Sequence, residues 1–242
     1  MSQRKRSKGV GSSQMTDGDE DFIPTQQARY SPDQVNQKAN ELVQFLLVKD
    51  QKKIPIKRAD MLKNVIREYR DAYTEIVSQA GRILQETFGL RLVEIDPKVH
   101  SYILVSSLPC AQSNHPCRAK EKEKMGLLIV ILSFIFMKGN VVKDSALWEF
   151  LRWLRVHPGE QHEIFGDVQK LVTEEFVRQK YLKITPIPLV DPPQFSFQWG
   201  PRAAQETSKE DILNFVAKVQ GKSPKFWTSQ HNEATAPKAP PK

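Results

Sequence analysis

Residues 126–137 read GLLIVILSFIFM, twelve positions of which all but Gly126 and Ser133 carry large apolar side chains. A membrane-spanning helix needs roughly 18 or more such residues, so this run is too short to cross a bilayer. Lys124 precedes it, and Lys138, Gly139 and Asn140 follow as helix-stopping signals. The run therefore reads as a core helix, apolar on every side, that the rest of the chain must cover.

The chain has the material to do so. With 242 residues and 39% apolar composition it can bury one or two sizeable cores. The ends are different. Residues 1–21 contain a single Val as their only large aliphatic besides Met, and the ending HNEATAPKAPPK contains none, so disordered tails are expected over 1–30 and 228–242. Two cysteines imply no disulfide framework, which makes a reducing intracellular compartment the default. The start MSQRKRSKG has no apolar core of a secretory signal, and QRKRSK fits a nuclear-import patch.

Between the tails the pattern of elements occurs twice. SPDQ at 31–34 offers a capping Ser31, Pro32 at the first helical position and Gln34 to complete a capping box. The stripe Val35, Ala39, Leu42, Val43 and Leu46 then carries a helix to about Lys49. An extended KIPIK, helices over about 58–67 and 72–88, and the strands LRLVEID and SYILVSS around Pro97 and Lys98 follow. Three helices and a hairpin in about 75 residues compose a winged helix. The proline-bearing, charged segment 108–124 reads as a linker. After it come the buried helix at 125–138, a short VV strand, helices at about 144–156 and 167–181, and the strands KITPI and QFSFQW. A last helix is expected from a capping box of Thr207 and Glu210, with Ile212, Phe215, Val216 and Val219 on one face. The expected fold is mainly α with small β-hairpins, an α+β chain of two tandem winged-helix domains over 31–107 and 125–227.

No catalytic constellation emerges. Cys110, His115 and Cys117 offer three ligands where a structural zinc needs four. HPGEQHEIFG at 157–166 lacks the H-E-x-x-H spacing that places two imidazoles on one helical face. No phosphate-cradling glycine loop or nucleophile elbow is present. No enzyme, metal or cofactor, and no small-molecule substrate, is expected.

Charge and leftover apolar groups point to macromolecular partners. Residues 36–107 carry 12 basic and nine acidic side chains, densest at Lys52, Lys53, Lys57, Arg58 and Lys63. Such a cluster suits either a phosphate backbone or a merely solvated face. Residues 125–200 carry eight of each sign. On the first helix Phe45 and Leu47 fall at the edges of the stripe and Val48 points away, while Trp153 lies off the stripe Leu147, Phe150, Leu151 and Leu154. These extras serve either a neighbouring domain or a protein partner.

The segments ELVQFLLVKDQKKIPIKRADML, SYILVSSL, GLLIVILSFIFMKGN, LWEFLRWLRV, HEIFGD and QFSFQWGPRAAQETSKEDILNFVAKV resemble the MAGE homology domain family in order and spacing, over about residues 36–227. KDQKKIPIKRADML and VAKVQGKSPKFW are most similar to the members of that family that serve the chromosomal Smc5–Smc6 complex. The resemblance implies two tandem winged helices and a nuclear, chromosome-associated scaffold in DNA repair and recombination, without catalysis. It implies binding and stimulation of a RING-type ubiquitin ligase subunit through the leucine pair Leu46 and Leu47. It also implies a grip on a kleisin subunit about Trp153 and Leu213. Double-stranded DNA is implied at Lys170, Arg178, Lys180 and Lys183, whereas the local charge count favours Lys52, Lys53 and Lys57. A MAGE-type ligase adaptor outside that complex and a winged-helix transcription factor are the alternative readings.

Overall fold

A computed structural model describes residues 30–107, 119–189 and 191–236. Helix α1 (Pro32–Asp50) begins as its sequence dictates. Ser31 Oγ accepts from the Gln34 N–H (3.3 Å), and the Gln34 side chain accepts from the Ser31 N–H (2.9 Å). Its stripe Val35, Ala39, Leu42, Val43 and Leu46 is buried without exception. Strand β1 (Ile56–Lys57) leads into α2 (Arg58–Met61), which continues through a π-helical turn over Leu62–Ile66. A short 3-10 turn, Arg70–Ala72, opens α3 (Tyr73–Phe88), and Gly89 stops it in the left-handed conformation, φ 61°. β2 (Leu90–Asp96) and β3 (Ser101–Ser106) form an antiparallel hairpin, and β1 adds to the far side of β3 to give the order β1–β3–β2. Leu42, Leu46, Ile66, Ile76, Leu84 and Leu104 fill the core beneath this sheet.

The second half repeats the order. Helix α4 (Ala119–Met137) is followed by β4 (Val142–Lys143), α5 (Asp144–Trp153), and a small hairpin of β5 (Gln161–His162) and β6 (Gly166–Asp167). Then come α6 (Val168–Lys170), a π-helical stretch over Leu171–Glu175 and α7 (Phe176–Arg178). β7 (Leu182–Ile187) and β8 (Gln194–Trp199) pair antiparallel, with β4 on the other side of β8 in the order β4–β8–β7. The chain ends with α8 (Pro201–Glu206), α9 (Lys209–Gln220), a 3-10 turn at Pro224–Phe226 and α10 (Thr228–Thr235). The fold is α+β, helices with small antiparallel sheets.

Burial of α4 organises this half. Leu127, Leu128, Ile131, Leu132 and Ile135 enter a core with Leu147, Leu151, Leu171, Phe176 and Phe197. On another side Phe136 packs with Ile212 and Leu213 of α9. Trp199 Nε1 donates to the Leu132 carbonyl (2.9 Å), pinning the second sheet to the helix.

Several expectations are corrected. Helix α4 starts at Ala119, inside the segment read as a linker, because AKEKEK continues a good helix-forming sequence into the apolar run. The tail expected from 228 onward is helical as far as Thr235, held by contacts that its polar composition does not announce. Gln230 Nε2 donates to the Met137 carbonyl (3.2 Å), and Glu233 accepts from Asn140 (2.9 Å) and pairs with Lys209. Tyr30, in the other expected tail, packs its ring against Tyr69 at 4.5 Å, the planes tilted by 41°, and donates to the Glu68 carbonyl. Helix α9 is capped by Ser208, whose Oγ accepts from the Asp211 N–H (3.0 Å), since Thr207 is already committed to closing α8 through the Ala203 carbonyl. Its buried face is Ile212, Leu213 and Ala217, which leaves Phe215 and Val219 outward. The expected tails over 1–29 and 237–242, and the linker over 108–118, lie outside the described residues.

A buried side chain sits at the join of the two halves, where α8 packs on β3. Arg202 of α8 is 0% exposed. Its Nε donates to the Gln179 carbonyl (2.9 Å), one terminal nitrogen to Glu206 Oε1 (2.9 Å) and the other to the Lys53 carbonyl (3.0 Å), with Asp50 Oδ1 at 3.9 Å. Tyr181 donates to Glu206 Oε2 (2.7 Å), and Asp50 pairs with Lys53. The backbone before α8 is equally tight: a Cβ on Gly200 would lie 2.2 Å from the Lys180 carbonyl oxygen. Removing one partner of a buried charged network leaves the others unpaired, at a cost of about 3–5 kcal/mol. Arg202→Met is expected to lose stability on that scale in urea denaturation, and a loss below about 1 kcal/mol would show that water replaces the guanidinium there.

Burial also raises the Asp50 carboxyl pKa above 3.8, against the lowering effect of Lys53. The native state then holds this proton to higher pH than the unfolded chain does. Through the window above 3.8 the group's contribution to stability falls as pH rises. Asp50→Asn should flatten that part of the stability–pH curve, which urea midpoints measured across the window would read.

Candidate functional site

Three surfaces carry the residues singled out above. The first is the C-terminal end of α1. Leu46 is fully buried in the core, Phe45 and Leu47 are half-buried at its margin, and Val48 is 58% exposed. The Lys49 ammonium lies 5.5 Å from the Phe45 ring centroid and covers that ring. Leu46 and Leu47 therefore have unlike environments: one is a core residue, and its neighbour is held at the edge. Val48 adds an open apolar position beside them.

The second surface is a groove between α4, α5 and α9, with an apolar wall of Val130, Phe134, Phe150, Leu154, Phe215 and Val219. Phe134 and Phe150 stack at 4.0 Å with planes 3° apart and form a rigid floor. Trp153 stands 81% exposed at the end of α5, next to Leu154. Leu213, in contrast, is 1% exposed because α9 turns it toward Phe136. It does not line this groove, whose wall on that helix is formed by its less buried apolar neighbours. Phe215 and Val219 are the exposed apolar residues of that helix. The sequence did signal them, as part of the apolar face of the last helix, but offered no reason to prefer outward over inward.

The third surface is basic. Lys52, Lys57, Arg178, Lys180 and Lys183 are exposed. Lys170 is exposed too but pairs with Asp167 (3.6 Å), in a shallow polar cleft shared with Lys124, Glu174, Glu175 and Arg178. Lys124 bonds Glu175 there at 2.9 Å. The positive charge of that cleft is thus matched by carboxylates. Lys53 is likewise committed to Asp50.

The histidine segment forms the β5–β6 hairpin, where His162 Nδ1 accepts from the N–H groups of Ile164 (3.1 Å) and Phe165 (3.4 Å). That is a turn-holding role. Cys110, His115 and Cys117 lie outside the described residues, and no group of three or more potential metal ligands occurs among the described residues. No helix among them is long and apolar enough to cross a membrane.

The MAGE homology domain pattern matches residues 42–210 of this sequence. The chain belongs to the MAGE homology domain family. It is 50% identical over 207 residues to the human non-structural maintenance of chromosomes element 3 homolog, covering 85% of this chain and 68% of that protein. Human melanoma-associated antigen D2 is also 50% identical, over 197 residues, but this MAGE chain spans only 32% of its length. A solved structure titled Nse1-Nse3-Nse4 complex contains a chain 55% identical to this one with a TM-score of 0.82, matched over 85% of this chain and 99% of the other.

The contrast between the two leucines has a direct consequence for this MAGE domain. Leu46→Ala should cost about 2–5 kcal/mol, as for a core leucine, whereas Leu47→Ala should cost visibly less because its site is already half open. Equal shifts in thermal midpoint for the two variants would contradict the assignment.

Proposed function

We propose that this chain is a non-catalytic scaffold subunit of an Smc5–Smc6 genome-maintenance complex, built as two tandem winged helices over residues 31–107 and 119–227. It bridges a RING-type ubiquitin ligase subunit, a kleisin subunit and double-stranded DNA, and it stimulates the ligase. The observation that carries this reading is the likeness, at 55% identity over 99% of the matched chain, to a chain of the Nse1-Nse3-Nse4 complex. Nuclear, chromosome-associated action follows from it and agrees with the basic QRKRSK near the N-terminus.

Each surface has a part in this reading. The RING partner meets the end of α1, where Leu47 and Val48 are partly or fully open and Leu46 holds the helix in place. The kleisin lays an apolar helix into the α4–α5–α9 groove, whose apolar wall and stacked aromatic pair suit the apolar face of such a helix. Trp153 extends that groove. Duplex DNA meets the exposed lysines, whose point charges suit the phosphate backbone and carry no base-specific reading.

A ligase adaptor outside that complex is the second reading. Its support is the equal identity, 50%, to melanoma-associated antigen D2. Tagged protein recovered from nuclear extract separates the two. A RING subunit and a kleisin recovered together favour the first, and a RING ligase without a kleisin favours the second.

Truncating one well-packed interfacial leucine costs about 1–2 kcal/mol, roughly 5- to 30-fold in affinity. Leu47→Ala should weaken the RING partner by that factor and leave the kleisin unaffected. Phe215→Glu, which places a charge in the apolar groove, should do the reverse. Calorimetric titration of each purified partner reads both, and a swap of the two effects would refute the placement of the surfaces.

A further inference from the structure

Two lysine-bearing segments that lie far apart in sequence are brought together at the join between the halves. Arg202 binds the Gln179 carbonyl at 2.9 Å and the Lys53 carbonyl at 3.0 Å. The backbones that carry Lys180 and Lys53 are therefore held within reach of a single guanidinium group. The carboxylates at this join, Asp50 and Glu206, are already engaged by Lys53, Arg202 and Tyr181. They leave Lys52 and Lys57 from the first half, and Lys180 and Lys183 from the second, exposed and without an ion pair to any described residue.

We infer that these four lysines form one continuous duplex-DNA surface that straddles the join, so that a single DNA molecule touches both halves at once. The inference rests on the proposed DNA-binding function and specifies where and how it acts. Lysines are compact point charges suited to phosphates. Tyr181, the ring at the join, is buried beneath Arg202. A single strand would find no stacking platform in that buried ring, whereas a duplex backbone needs none. The acid-matched cleft around Lys170 and Arg178 is set apart by its own carboxylates, Asp167, Glu174 and Glu175. The neutral balance of residues 125–200 therefore does not argue against binding, because the relevant field is assembled from both halves.

The test uses the full chain and a mixed-sequence duplex of about 20 base pairs, with anisotropy followed from about 50 to 200 mM salt. Each phosphate contact contributes about 0.9 to the log–log salt slope. Lys52→Gln with Lys57→Gln should flatten the slope by about 1.8, and Lys180→Gln with Lys183→Gln by a similar amount. All four together should flatten it by about 3.6, with one duplex bound per chain throughout. A change from only one pair, or two duplexes bound per chain, overturns the shared surface while leaving DNA binding in place. No binding at about 50 mM salt removes the DNA function itself, and with it this inference. Polyglutamate binding as tightly as the duplex at equal salt would assign the surface to acidic protein segments instead, and a single strand outcompeting the duplex would likewise overturn it.

Discussion

A guanidinium with no access to solvent is the constraint on which the arrangement of this chain depends. Arg202 must find partners for all its N–H groups in a place that water does not reach, and the partners available are carbonyls and carboxylates from both halves. The bonds to Gln179 and Glu206 fix the guanidinium within the second half, and the bond to the Lys53 carbonyl ties it to the first. Apolar packing fills a core in each half, but it is non-directional. The hydrogen-bond fork is directional. Gly200 reinforces it by letting the chain pass against the Lys180 carbonyl, where a methyl group would collide.

The periodic elements were legible in the sequence and the unperiodic ones were not. Val35 through Leu46 announced α1 because their spacing keeps one face apolar, and Ser31 with Gln34 fixed its start. Both hairpins were evident from β-branched and aromatic runs around turn residues. Helix α8 and the β5–β6 hairpin were missed, since six residues of PRAAQE and a pair of two-residue strands carry too little pattern to register. Helix α10 was misread for a different reason. The polar run TSQHNEAT says nothing about the Met137 carbonyl and Asn140 side chain waiting in the fold to bind it. The choice of Thr207 over Ser208 as cap failed through a competing commitment one residue away.

The candidate surfaces divide in the same way. Leu46 and Leu47 were separable by helical angle alone, because a helix has one core-facing stripe. Leu213 was not separable from Phe215, since α9 has partners on two sides and the sequence does not say which side is closed by α10. Single charges were the least legible. Lys170 and Lys180 look alike along the chain, yet one sits among carboxylates and the other at a join whose carboxylates are already bound.

The same helix, α4, contributes to two buried clusters and to the floor of the open groove. Its groove-facing residues cannot be loosened without disturbing the buried ones on the opposite side. Occupancy of the groove is therefore thermodynamically linked to the folding of the entire second half, and a partner present at 100 times its dissociation constant would add about 2.7 kcal/mol to that folding. A subunit whose groove is filled in this way would be held together partly by the company it keeps, and its lifetime in the cell would then measure how completely its assembly is filled.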